Sequence, residues 1–85
     1  MYPLQEKVSA PQISGTTPFA DTTTVTIATS SSNAKIYYTD DGSEPDQHAT
    51  LYSGPITLSA SKTIKAIAIR GNIASAVSSK SFVKQ

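Results

Sequence analysis

The sequence predicts an all-β, antiparallel sandwich of about seven short strands. Val, Ile and Thr far outnumber Leu, which stands only at Leu4, Leu51 and Leu58. β-branched side chains are stiff at χ1 and fit a pleated surface better than a helix. No stretch keeps apolar residues at the i, i+3, i+4, i+7 spacing of a helix. Short alternating runs lie instead between clusters of Gly, Pro, Asn, Asp and Ser. The 85 residues are enough for one domain with one modest core.

Residues 1–9 read as a linker, with Pro3 and mixed charge, and 10–85 as the sandwich. A first strand spans Pro11–Ser14; Pro11 has no N–H to donate, so this strand is expected to sit at a sheet edge or to begin at the proline. Gly15–Asp21 is a loop holding Pro18 and Phe19. The second strand, Thr23–Thr29, turns Val25 and Ile27 one way and Thr24 and Thr26 the other. Ser30–Ala34 is a polar turn in which Asn33 suits a positive φ. The third strand, Lys35–Thr39, puts Ile36 and Tyr38 on the core face and Lys35, Tyr37 and Thr39 on the solvent face. After the loop Asp40–Thr50 come short strands at Leu51–Tyr52 and Ile56–Leu58, separated by the Gly54–Pro55 break. Thr63–Ile69 aligns Ile64, Ala66 and Ala68 on one face, where alanines let two sheets approach closely. Ile67 and Ile69 then share the outer face with Lys65 and need cover from a loop or a neighbour. Arg70-Gly71-Asn72 turns the chain into a last strand ending near Phe82–Val83. Short strands at this spacing are the pattern of an immunoglobulin-like sandwich, here without the Cys pair and core Trp of antibody domains.

Composition narrows the function classes. With no cysteine, disulfides, thiolate metal sites and Cys nucleophiles are excluded. The net charge is +1, and Lys7, Lys35, Lys62, Lys65, Lys80 and Lys84 are scattered rather than clustered. Nucleic-acid binding needs a concentrated basic footprint, so it is set aside. No apolar run approaches the ~20 residues that cross a bilayer, so no membrane insertion is expected. Met1–Lys7 lacks the hydrophobic region of a signal peptide.

Three ordered motifs carry a family resemblance. Ile36-Tyr37-Tyr38-Thr39-Asp40-Asp41-Gly42-Ser43-Glu44-Pro45 resembles the I-Y-Y-T-x-D-G-S-x-P signature of the chitobiase/β-hexosaminidase C-terminal-like domain, a family overlapping the fibronectin-type-III-associated repeats. Leu51-Tyr52-Ser53-Gly54-Pro55-Ile56 is similar to its L-Y-x-G-P-I element, and Thr63-Ile64-Lys65-Ala66-Ile67-Ala68 to its T-I-K-A-I-A strand. Pro11, Ile13, Ser14 and Phe19 resemble its opening segment, although the loop Gly15-Thr16-Thr17-Pro18-Phe19 is shorter than usual. The resemblance runs from about Pro11 to Val83. It implies an immunoglobulin-like module appended to secreted or surface bacterial proteins, often carbohydrate-active enzymes, and implies no activity of its own.

Asp40, Asp41, Glu44 and Asp46 crowd one loop, and oxygen ligands so close together suit Ca²⁺. A turn accounts for the same residues without metal: Asp accepts from nearby backbone N–H groups, Gly42 takes positive φ and Pro45 fixes the exit. EF-hand spacing is absent. His48, the lone histidine, has no nucleophile–base–orienter set around it in the sequence, so no catalytic residue, metal ligand or cofactor is expected. Tyr2, Tyr37 and Tyr52 are candidates for a sugar-stacking platform. Tyr52 is expected to pack under the Asp40–Thr50 loop with its hydroxyl bonded to backbone, which leaves Tyr37 as the candidate glycan contact. The residues expected to shape the fold are Tyr38, Asp41, Gly42, Pro45, Tyr52, Gly54 and Pro55.

The sequence therefore points to a non-catalytic spacer or docking module, monomeric when isolated, whose partners are neighbouring domains of its parent chain. A second reading is a weak polysaccharide-binding module acting through Tyr37, with an exposed strand edge as a further docking surface. A third is an independent hydrolase.

Overall fold

The computed structural model describes residues 8–31 and 33–85. Among these residues the strands are β1 (Gln12–Ser14), β2 (Thr23–Ala28), β3 (Lys35–Thr39), β4 (Thr50–Leu51), β5 (Ile56–Leu58), β6 (Lys62–Arg70), β7 (Ile73–Ala74) and β8 (Ser78–Phe82). They form two antiparallel sheets. One runs β1-β2-β5; the other runs β4-β3-β6-β7, with β8 also on β6. The predicted all-β sandwich class holds; β1 starts just after Pro11 and lies at a sheet edge.

Alternation builds the core. Val25 and Ile27 of β2 turn inward and Thr24 and Thr26 outward. Opposite them Ile64, Ala66 and Ala68 of β6 are each fully buried. Phe19, Leu58 and Phe82 complete the cluster, with Ile36, Tyr38 and Tyr52 half-buried against it. The small alanine side chains leave room for these rings between the sheets.

Asn33 has φ of 62° and Gly42 of 80°, so both turns take the left-handed conformation their residues suit. The last segment departs from the single strand expected after Gly71. Two separate strands line the same edge of β6, with β7 beside Ile69–Arg70 and β8 beside Lys62–Ala66. Across the interruption Ser75, itself buried, bonds to the backbone of Ala68.

The seam between the sheets is closed by segments far apart in sequence. Phe19 bridges Lys84 in parallel. The Phe19 amide donates to the Val83 carbonyl at 2.9 Å, and the Gln85 amide to the Phe19 carbonyl at 2.8 Å. The shortened first loop therefore delivers its aromatic ring to the core. At the other end Val8 is buried, and Ser9 is held by Ser31 and Thr29. The packed body thus includes the last two residues of the segment read as linker. Residues 1–7, Tyr2 among them, lie outside the described residues.

Candidate functional site

The loop after β3 begins with an Asx turn. The Asp41 carboxylate (Oδ1) accepts from the Ser43 amide at 3.0 Å and from the Ser43 hydroxyl at 2.6 Å. The Thr39 hydroxyl donates to the Ser43 carbonyl at 2.7 Å. The Ser43 hydroxyl, the Ser43 amide and more distantly the Lys62 ammonium all favour the ionised form, and Asp41 titrates below the ordinary aspartate value. A second turn follows, in which Asp46 Oδ1 accepts from the His48 amide at 2.8 Å. Pro45, between the two turns, is buried.

The four carboxylates of this loop face different partners. Asp40 lies 3.5 Å from the Lys62 ammonium and Glu44 3.9 Å from that of Lys65. Among the described residues no three His, Cys, Asp or Glu side chains gather as metal ligands would. His48 is exposed, and it is its backbone amide, not its imidazole, that meets Asp46.

The same loop supplies cover for the outer face of the five-stranded sheet. The Glu44–Lys65 contact ties it to an outward side chain of β6. An open depression of about 500 Å³ lies between Asp46, Gln47 and His48 on one side and Ile67, Ile69 and Ala74 on the other. Ile67 is only 8 % exposed although it points away from the core.

Tyr37 stands on this outer face and is half-buried, not exposed as the sugar-platform reading requires. In register it lies between Leu51 of β4 and Ile67 of β6. A stacked sugar needs a free ring face, and two apolar cross-strand neighbours occupy the flanks of this one. Tyr38 takes the core side as expected, half-buried. The Tyr52 ring meets it edge-on, with centroids 6.2 Å apart and planes at 78°. Tyr52 thus packs on Tyr38 and the core. Its backbone amide donates to the Ile36 carbonyl at 2.7 Å, whereas the hydroxyl bond expected of it is not among those of the described residues. Gly54 and Pro55 separate β4 from β5, and so carry the chain from one sheet to the other.

One polar surface escaped the sequence reading. Lys62, Thr63, Lys65 and Ser81 line an open groove of about 550 Å³ beside Asp40 and Asp41. Thr63 and Ser81 share a hydroxyl–hydroxyl bond of 3.1 Å across β6 and β8. Only strand register brings Ser81 beside Thr63, so the signal is absent from the local sequence. Both ammonium groups in the groove already face carboxylates.

A family model described as Fn3 associated matches residues 25–82, more than half of the chain. No curated protein sequence matches.

Proposed function

The chain belongs to the Fn3-associated family, and from that premise we propose that it is a non-catalytic accessory module that spaces or docks neighbouring domains of a larger protein. The observation that carries this reading is the closure of the acidic loop on itself. Four of the six acidic residues of the chain lie there, and each meets a turn amide, a hydroxyl or a lysine. Glycoside hydrolysis usually needs two carboxylates about 5–10 Å apart across a cleft that admits a sugar. Among the described residues both inner sheet faces are spent on the core, and in the open groove beside Asp40 and Asp41 the first carboxylate faces Lys62 and the second Ser43. In this reading the parent is a secreted or surface bacterial protein, with carbohydrate-active neighbours of the kind the chitobiase-type motifs suggest. The module itself works as a monomer without metal or cofactor.

The second reading, weak polysaccharide binding at Tyr37, draws on the depression beside Ile67 and Ile69. An NMR titration with chitin-, xylan- and cellulose-type oligosaccharides separates the two. The spacer reading expects no saturable shift below millimolar ligand, near −4 kcal/mol, and no turnover of a chromogenic glycoside. Saturable shifts around Tyr37 at micromolar ligand replace it with the binding reading. Turnover lost in His48→Ala replaces it with the hydrolase.

A further inference from the structure

We propose that the module is a force-bearing link, built so that tension between its two ends loads its closing seam in shear. The inference rests on the spacer reading and adds a mechanical property to it.

The chain enters and leaves the packed body at opposite ends. Ser9 is tied to Thr29 and Ser31, just past the end of β2. Gln85 and Lys84 are tied to Phe19 and Ser61, beside the start of β6. Between these anchors β1 and β8 run in the same direction. The Ser78 hydroxyl donates to the Pro11 carbonyl at one level. Further along, a Cβ on Gly15 would stand 2.9 Å from the Phe82 ring, which sets those two residues level. Beyond them Phe19 bridges Lys84 in parallel. From the level of Val8 to that of Gln85 is about ten strand residues, or about 30 Å at about 3.3 Å each.

Tension drawing the two ends apart pulls the first segment toward its start and the last segment toward its finish. The two slide past one another along the strand direction. Two backbone–backbone bonds and one from a backbone amide to a side chain bind this seam near Gln85. The Phe19 amide donates to Val83, the Gln85 amide to Phe19, and the Val83 amide to the Thr17 hydroxyl at 2.9 Å. Bonds between parallel segments are evenly spaced and slanted, and a pull along the strands loads them together. The five-pair ladder between β6 and β8 is loaded in the same way. Pulling β8 away from β6 at one end breaks the bonds in turn, and each bears the full load alone. Forced unfolding is governed by the unfolding barrier, so the direction of pull decides resistance at unchanged equilibrium stability.

The test is single-molecule pulling of the whole chain in two geometries. One uses handles at Met1 and Gln85; the other uses handles at Gln85 and at Ala60→Cys, an exposed site next to the Ser61–Lys84 contact. The end-to-end geometry is expected to need at least twofold higher force at equal loading rate. Thr17→Val, which removes one seam acceptor, is expected to lower that force. The native chain supplies an independent reading. Shear requires a distance to the barrier shorter than about one strand-residue rise of 3.3 Å, and a distance of several residues overturns the inference. Equal forces in the two geometries also overturn it while leaving an unloaded spacer. Micromolar glycan binding overturns the spacer reading instead and leaves the mechanical result standing.

Discussion

The Ser75 hydroxyl accepts the Ala68 amide hydrogen at 2.9 Å while the Ser75 amide donates to the Ala68 carbonyl at 2.8 Å. Between β7 and β8 one side chain thus supplies the acceptor for an amide of β6 that no strand there supplies. The hydroxyl passes its own hydrogen to the Ala76 carbonyl at 2.8 Å. Ala68 is fully buried, so its amide has no recourse to water. Ser75→Ala is expected to cost about 1–3 kcal/mol, the usual cost of an unsatisfied buried donor. Denaturant unfolding measures the loss, and native-state hydrogen exchange should show the Ala68 amide exchanging faster. A loss under about 0.5 kcal/mol sinks the account, being less than a typical net hydrogen bond.

Gly15 is required by close approach. A Cβ there would meet the Phe82 ring and the Thr24 carbonyl oxygen, each at 2.9 Å. Phe82 is 1 % exposed and the carbonyl belongs to β2, so neither yields easily. Gly15→Ala is expected to cost about 1–3 kcal/mol, as overpacking does. An unchanged melting temperature would show that the loop moves freely.

Asp41 links the loop to pH. Its folded-state pKa is lowered, first by the Ser43 hydroxyl and then by the Ser43 amide. A depressed carboxylate contributes stability above its unfolded pKa and loses it as pH falls through the folded value. The Asp41 contribution is therefore present at neutral pH and fades only below the ordinary aspartate range. Ser43→Ala removes the leading cause, so the Asp41 carboxyl should titrate at higher pH when followed by NMR. A midpoint unmoved in that variant contradicts the assignment.

These three sites show what was legible in the sequence. β3 and β5 have the predicted bounds, because strict alternation and the flanking turn residues mark them. Asn33 and Gly42 were legible because positive φ is a local demand of particular residue types. The division of the last strand was hidden. No Gly or Pro marks Ser75-Ala76-Val77, and the interruption is held by a bond to Ala68, seven residues earlier. The Phe19 pairing with the C-terminal segment was hidden for the same reason, since it joins residues 65 apart. For the candidate site, the turn was readable from Asp-Asp-Gly-Ser, and the structure shows that Asp41 is the aspartate that accepts. The flanking of Tyr37 depends on register, which the sequence does not state.

Tyr38 and Tyr52 are expected to be energetically coupled. Their edge-to-face geometry places the positive edge of one ring toward the negative face of the other. A double-mutant cycle with Tyr38→Leu and Tyr52→Leu should give a coupling of about 0.5–1.5 kcal/mol. Leu keeps apolar bulk at both sites, so the cycle isolates the ring contact. Strictly additive losses would show two rings that merely share the core.

Tyr37 bears on function because its two readings make opposite stability predictions. A sugar-stacking tyrosine must leave one ring face free for the ligand, and removing it should cost the free module little. The structure instead sets Tyr37 in register between Leu51 and Ile67, half-buried on the covered outer face. Cross-strand apolar pairs contribute about 0.2–1 kcal/mol each. With two such pairs, Tyr37→Ala is expected to lower unfolding free energy by about 0.5–2 kcal/mol, and Ile67→Ala, which removes one of its neighbours, should make that loss smaller. The β3–β6 ladder is backbone-bonded and survives the truncation, so the variant remains foldable. Denaturant unfolding of the two single variants and the double variant decides the matter. A stabilised or unaffected Tyr37→Ala would mean that the ring is held out for a ligand rather than for the sheet, and the oligosaccharide titration would then be the measurement to pursue first.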